Sequence, residues 1–143
     1  MCYRPSGGHH YILIDDQNGI DEMSLMIEFA VTGSCRASWN ANKETPYFKN
    51  SCAMVKIIGT EGAVIGKYEG IEKVQAREEV IKVIPMITPG DVVGADGTTA
   101  QILATLWYRC PLGSDPEEFA EYLAKDFVIE DTEGNSIAKI SIM

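Results

Sequence analysis

The stretch Ala53-Met-Val-Lys-Ile-Ile-Gly-Thr-Glu-Gly-Ala-Val-Ile-Gly-Lys-Tyr68 decides the fold class. Two short runs rich in β-branched residues flank Gly59-Thr-Glu-Gly62, which reads as strand, turn, strand. A four-residue loop between such runs predicts a hairpin. Downstream, residues 69–77 are charged and accommodate a single helical turn. Residues 79–87 are β-branched and long enough for a strand. Thr88-Pro-Gly-Asp91 is a turn, because Pro fixes φ and Gly accepts a positive one. Residues 102–108 form the next strand. A helix begins at Asp115, with Asp115 as cap, Pro116 in the first helical position and Glu118 placed for a capping box. Phe119, Tyr122 and Leu123 give it one apolar face. Residues 127–130 and 137–142 flank a turn at 131–135 and predict a terminal hairpin. The order ββ–β–β–α–ββ is an α+β unit, a mostly antiparallel sheet with one main helix over residues 53–143.

Working upstream, residues 34–52 are polar and without period, and read as a connection tethered by Trp39, Tyr47 and Phe48. Before them lies a well-specified helix over 21–32. Asp21 fits the N-cap, Ile20 is placed to staple onto Leu25, and Met23, Met26, Ile27 and Ala30 recur at helical spacing. Gly33 is a natural stop. Tyr11-Ile-Leu-Ile14 is a brief apolar run, and residues 15–19 are turn material. The expected organisation is therefore 1–36, a connection at 37–52, and an α+β domain at 53–143.

The 143 residues can bury one ordinary core plus an appendage. No apolar run approaches the roughly 18 residues a membrane span needs. The opening residues lack the apolar core of a secretory signal, so a cytoplasmic protein is expected. A net charge of −9 repels phosphate backbones and argues against a nucleic-acid partner. Cys2, Cys35, Cys52 and Cys110 form no close pair, as structural zinc would want, and read as reduced thiols packed as small hydrophobes.

The candidate site is Arg4-Pro-Ser-Gly-Gly-His-His10. Gly7 and Gly8 let the backbone approach a ligand and offer N–H groups to an anion. Arg4 is a forked, permanently charged donor for phosphate or carboxylate. His9 or His10 adds a hydrogen bond. On pattern alone, a Gly-Gly pair near a terminus is more often a flexible loop than a phosphate cradle. No nucleophile elbow or phosphate-binding lysine loop occurs. The carboxylates Asp15, Asp16, Asp21 and Glu22, like Glu117 and Glu118, are explained by a turn and by helix N-termini.

Taken in order, these segments resemble the C-terminal portion of an ATP-grasp carboxylate–amine ligase. That catalytic fold closes with a strand carrying E-x-N-x-R, then a Gly-rich loop, then a helix ending in a small residue plus Gly. Here the strand reads Met1-Cys-Tyr-Arg4, the loop Pro5-Ser-Gly-Gly-His-His10, and the helix ends Phe29-Ala-Val-Thr-Gly33. The match is nearest the branch of L-amino-acid ligases, carbamoyl-phosphate-synthase-like and biotin-carboxylase-like proteins. Its C-terminal domain is similar in Gly62-Ala-Val-Ile-Gly-Lys-Tyr-Glu-Gly70, in Val83-Ile-Pro-Met-Ile-Thr-Pro-Gly-Asp-Val-Val93 and in Asp115-Pro-Glu-Glu-Phe-Ala120.

The resemblance implies that Arg4 contacts the phosphate or acyl-phosphate intermediate, and that Gly7 and Gly8, with His9 and His10, line the substrate and phosphate site. Cys2 falls at the family's metal-binding asparagine, although a thiol is a poor Mg²⁺ ligand. ATP and Mg²⁺ are then expected for a full-length enzyme and no cofactor for this chain alone. A carboxylate and an amine are the implied substrates. The chain's partner is the missing N-terminal ATP-grasp region or a second copy in a homodimer. The alternative is a free-standing, non-catalytic α+β binding or assembly module.

Overall fold

The computed structural model describes residues 8–34 and 50–142. The expected strand at 1–4, most of the connection at 37–52, and the tethers Trp39, Tyr47 and Phe48 lie outside the described residues. The chain forms two compact units, residues 1–51 and 52–143. Among the described residues no helix is long and apolar enough to cross a membrane.

In the larger unit the elements run β1 (Ser51–Ile58), β2 (Ile65–Glu69), α3 (Ile71–Gln75), β3 (Val80–Pro85), β4 (Ile102–Cys110), α4 (Pro116–Ala124), β5 (Val128–Asp131) and β6 (Lys139–Ile142). A four-stranded sheet has the order β3-β4-β1-β6, and β2 pairs with β5 in a second sheet. The pairs β1–β6, β2–β5 and β3–β4 are antiparallel, so the α+β class holds. Interior position explains the composition of β4. Ala104, Leu106 and Tyr108 project to one face and Leu103, Thr105 and Trp107 to the other, and all six are buried. A strand covered on both faces needs a continuous apolar run rather than an alternating one. On the outer strand β3, Val80 and Val83 are both buried although they are three residues apart. The register shift between Val80 and Lys82 turns the strand by one residue and brings Val83 back to the core.

The expected hairpin between β1 and β2 does not form. Both edges of β1 are occupied, by β4 and β6. β2 instead lies between β5 and the segment 91–93. On one side Tyr68 is opposite Ile129. On the other, the Ile65 amide donates to the Asp91 carbonyl (2.9 Å) and the Val93 amide to that of Ala63 (2.9 Å). This long-range pairing buries Ile65 and Ile129 to 1% exposure, which a local two-strand ribbon could not do. The terminal hairpin forms only at its turn. Asp131 Oδ1 accepts from the amides of Glu133 (2.9 Å) and Asn135 (2.8 Å), and Glu130 bridges Ser136. The chain then leaves β5 and pairs with β1 as β6.

The single turn expected within 69–77 is α3, and it is clamped tightly. Gly70 has φ 90°, and a Cβ there would fall 1.9 Å from the Asp126 carbonyl oxygen. The Asp126 carboxylate receives Lys73 at 2.7 Å and the Arg77 guanidinium, which also lies 4.7 Å over the Tyr122 ring. In α4, Asp115 Oδ1 accepts from the amides of Glu117 (2.7 Å) and Glu118 (3.2 Å), with Pro116 in the first turn as read from the sequence. Its buried residues are Ala120 and Leu123, while Tyr122 remains 49% exposed beneath Arg77. Tyr108 on β4 donates its hydroxyl to the Pro116 carbonyl (2.7 Å), and burial pushes its pKa up to about 12.

In the smaller unit, α1 (Tyr11–Asn18) and α2 (Glu22–Thr32) follow one another. The apolar run and turn expected at 11–19 are instead one helix of eight residues. The turn-forming residues Asp15, Asp16, Gln17 and Asn18 lie in its second half, and Gly19, at φ 65°, stops it with its amide on the Asp15 carbonyl (2.7 Å). Gln17 is buried and accepts from the Asn50 amide (3.2 Å), a partner no local pattern reveals. α2 matches its signals. Asp21 accepts from the Ser24 amide (2.9 Å) and hydroxyl (2.5 Å), which holds its carboxyl below the usual range. Gly33, at φ 71°, ends the helix.

Two outcomes are expected from the α3 clamp. Gly70→Ala adds steric overlap to a left-handed backbone and should destabilise by about 3 kcal/mol or more. Gly134→Ala, at φ 85° with open space around the added methyl, should cost only about 1 kcal/mol. Urea unfolding compares them, and equal losses would mean that the close approach at Gly70 is relieved without cost. The second outcome concerns pH. The hydrogen bonds from Lys73 and then Arg77 hold the Asp126 carboxyl below its ordinary 3.8. A carboxyl depressed in the folded state stabilises above its unfolded pKa and loses that contribution as pH falls through the folded value. The urea midpoint should therefore drop below about pH 4, and Asp126→Asn should flatten that drop. Parallel profiles for the two proteins would assign the acid sensitivity to other carboxyls.

Candidate functional site

Of the residues singled out from the sequence, Gly8, His9 and His10 are described; Cys2, Arg4 and Gly7 lie outside the described residues. The three form the entry to α1. His9 takes φ 55°, the only non-glycine residue described with a positive φ. Left-handed backbone at a residue with a Cβ costs about 1 kcal/mol and persists only where its surroundings impose it. Here the helix imposes it. The His9 carbonyl accepts from the Ile12 amide (3.0 Å), and the His10 carbonyl accepts from those of Leu13 (3.0 Å) and Ile14 (3.1 Å).

The two imidazoles are held differently. The His9 ring meets the Tyr11 ring edge-on, with centroids 5.9 Å apart. The His10 ring folds back over Gly8, where a Cβ would fall 2.8 Å from Nε2 and 3.3 Å from Cδ2 and Cε1. Glycine at position 8 thus leaves room for a side chain two residues on. Neither Tyr11 as a ring partner nor this use of Gly8 was legible in the sequence, since both depend on a turn that only the start of α1 defines. The His10 side chain makes no capping bond to the helix. Chemically, the turn offers an exposed imidazole beside the positive end of a helix dipole, an arrangement suited to an anionic group.

The other candidates have structural roles. Asp16 accepts from the Gln17 side chain (3.0 Å) and Asp21 caps α2. Glu117 and Glu118 sit in the capped first turn of α4. Cys110 is buried, its thiol pKa is raised by that burial, and its Sγ lies 3.7 Å from the Ser114 carbonyl. The buried Gln101 is used within the fold, donating to the Gly59 carbonyl (2.9 Å) and to Asp96 (2.6 Å) while accepting from the Gly97 amide (3.0 Å). Among the described residues no group of three or more His, Cys, Asp or Glu could hold a metal ion.

No family model matches the chain, and no curated protein matches it. Among solved structures it is similar to the L-amino acid ligase from Bacillus licheniformis, with a TM-score of 0.60 and 20% identity over 84% of this chain. That coverage is more than residues 52–143 can supply by themselves, so the likeness extends into the smaller unit. The chain spans 29% of the length of that ligase. The α+β fold is therefore ATP-grasp-like, matching the fold that the motifs imply.

Gly8→Ala should rotate the His10 ring away while leaving α1 intact, at a stability cost under about 1 kcal/mol, because the atoms displaced belong to a mobile side chain. In NMR spectra the His10 ring resonances should shift and those of His9 should not. Unchanged His10 resonances would show that Gly8 does not place this ring.

Proposed function

We propose that this chain is the C-terminal portion of an ATP-dependent ligase that activates a carboxylate as an acyl phosphate for attack by an amine, and that it is inactive by itself. The observation that carries this reading is the likeness to an L-amino acid ligase over 84% of this chain but only 29% of that one. In the complete enzyme, a carboxylate oxygen attacks the γ-phosphorus of ATP and ADP leaves. The amine then attacks the carbonyl carbon of the acyl phosphate and inorganic phosphate leaves.

Arg4 is assigned to the transferring phosphoryl group, where a forked cation offsets charge developing on the oxygens. Gly7 and Gly8 present backbone N–H groups to the intermediate, and His9 and His10 border the same turn. Mg²⁺ would neutralise phosphate charge in such an enzyme. The described residues hold no set of ligands for it, and a thiol at Cys2 fits it poorly.

In this reading the isolated chain shows no micromolar binding of Mg·ATP, about −8 kcal/mol, by calorimetry. In a ligase-length polypeptide, Arg4→Lys should lower acyl-phosphate formation, read as ADP release, on the order of 100-fold, because the charge stays but the bidentate fork is lost. Micromolar binding by the short chain, or near-normal turnover of the variant, would overturn the assignment.

A second reading, a self-associating binding or assembly module, is favoured by α2. None of its residues is buried, and Ile27 and Val31 are 60% and 79% exposed. Exposed apolar surface of this kind marks an interface. The isolated chain should therefore be dimeric by light scattering, and Ile27→Asp combined with Val31→Asp should render it monomeric while leaving the 52–143 unit folded. A monomeric parent whose 21–32 amides resist exchange as well as those of β4 would contradict this.

A further inference from the structure

We draw no further inference here: the strongest candidate, the exposed apolar surface of Ile27, Phe29 and Val31 along α2, carries nothing beyond the proposed function, because nothing in the structure shows what covers it.

Discussion

Burial of β4 on both faces is the constraint on which the larger unit depends. Leu103 and Leu106 are fully buried on opposite sides of this strand, and burying a side chain of this size contributes about 1.5–3 kcal/mol. A strand so placed needs neighbours on both edges, and β3 and β1 supply them. Cover on the core face comes from apolar side chains of other elements, Leu123 of α4, Val74 of α3 and Ile129 of β5 among them. The polar ends of the packing are satisfied at the same strand. Tyr108 bonds the first turn of α4, and the Leu103 carbonyl accepts from the Tyr68 hydroxyl at 3.1 Å and from the Met86 amide at 2.9 Å.

Close backbone approach is the second requirement. A Cβ on Gly66 would lie 2.5 Å from the Asp131 carbonyl oxygen, so the β2–β5 ladder tolerates no side chain there. Gly70 brings the start of α3 against Asp126, and the charge cluster of Lys73, Arg77 and Asp126 holds the same corner. Lys73 is 71% exposed, so its share is screened by water, whereas Arg77 is 23% exposed and also rests on the Tyr122 ring. Gly66 and Gly70, two of the glycines in the segment that resembles a ligase C-terminal domain, thus have a packing reason of their own, independent of any chemistry.

The smaller unit differs in kind. α2 carries good local signals, yet it buries none of its residues. Apolar side chains on more than one side of a helix suit a surface that is covered by another body. The turn at Gly8, His9 and His10 belongs to the same unit, and its strained backbone is held by the first amides of α1.

What the sequence by itself determined were the features governed by neighbours along the chain: the caps Asp21 and Asp115, the stop at Gly33, the strand runs and the α+β class. The resemblance carried by its motifs also anticipated the ATP-grasp-like fold. Tertiary structure alone decided which strands pair. The run 63–68 has the same local pattern whether it folds onto β1 or onto β5, and the choice rests on long-range burial of Ile65 and on both edges of β1 being taken. It likewise decided that residues 11–18 are helical, since turn formers at 15–18 are tolerated where the buried Gln17 finds a partner in the Asn50 amide and Gly19 closes the last turn. At the candidate site the residue types were legible and their arrangement was not. Where His10 points is set by the empty space over Gly8, and a missing side chain leaves no pattern in the sequence of what will occupy its place.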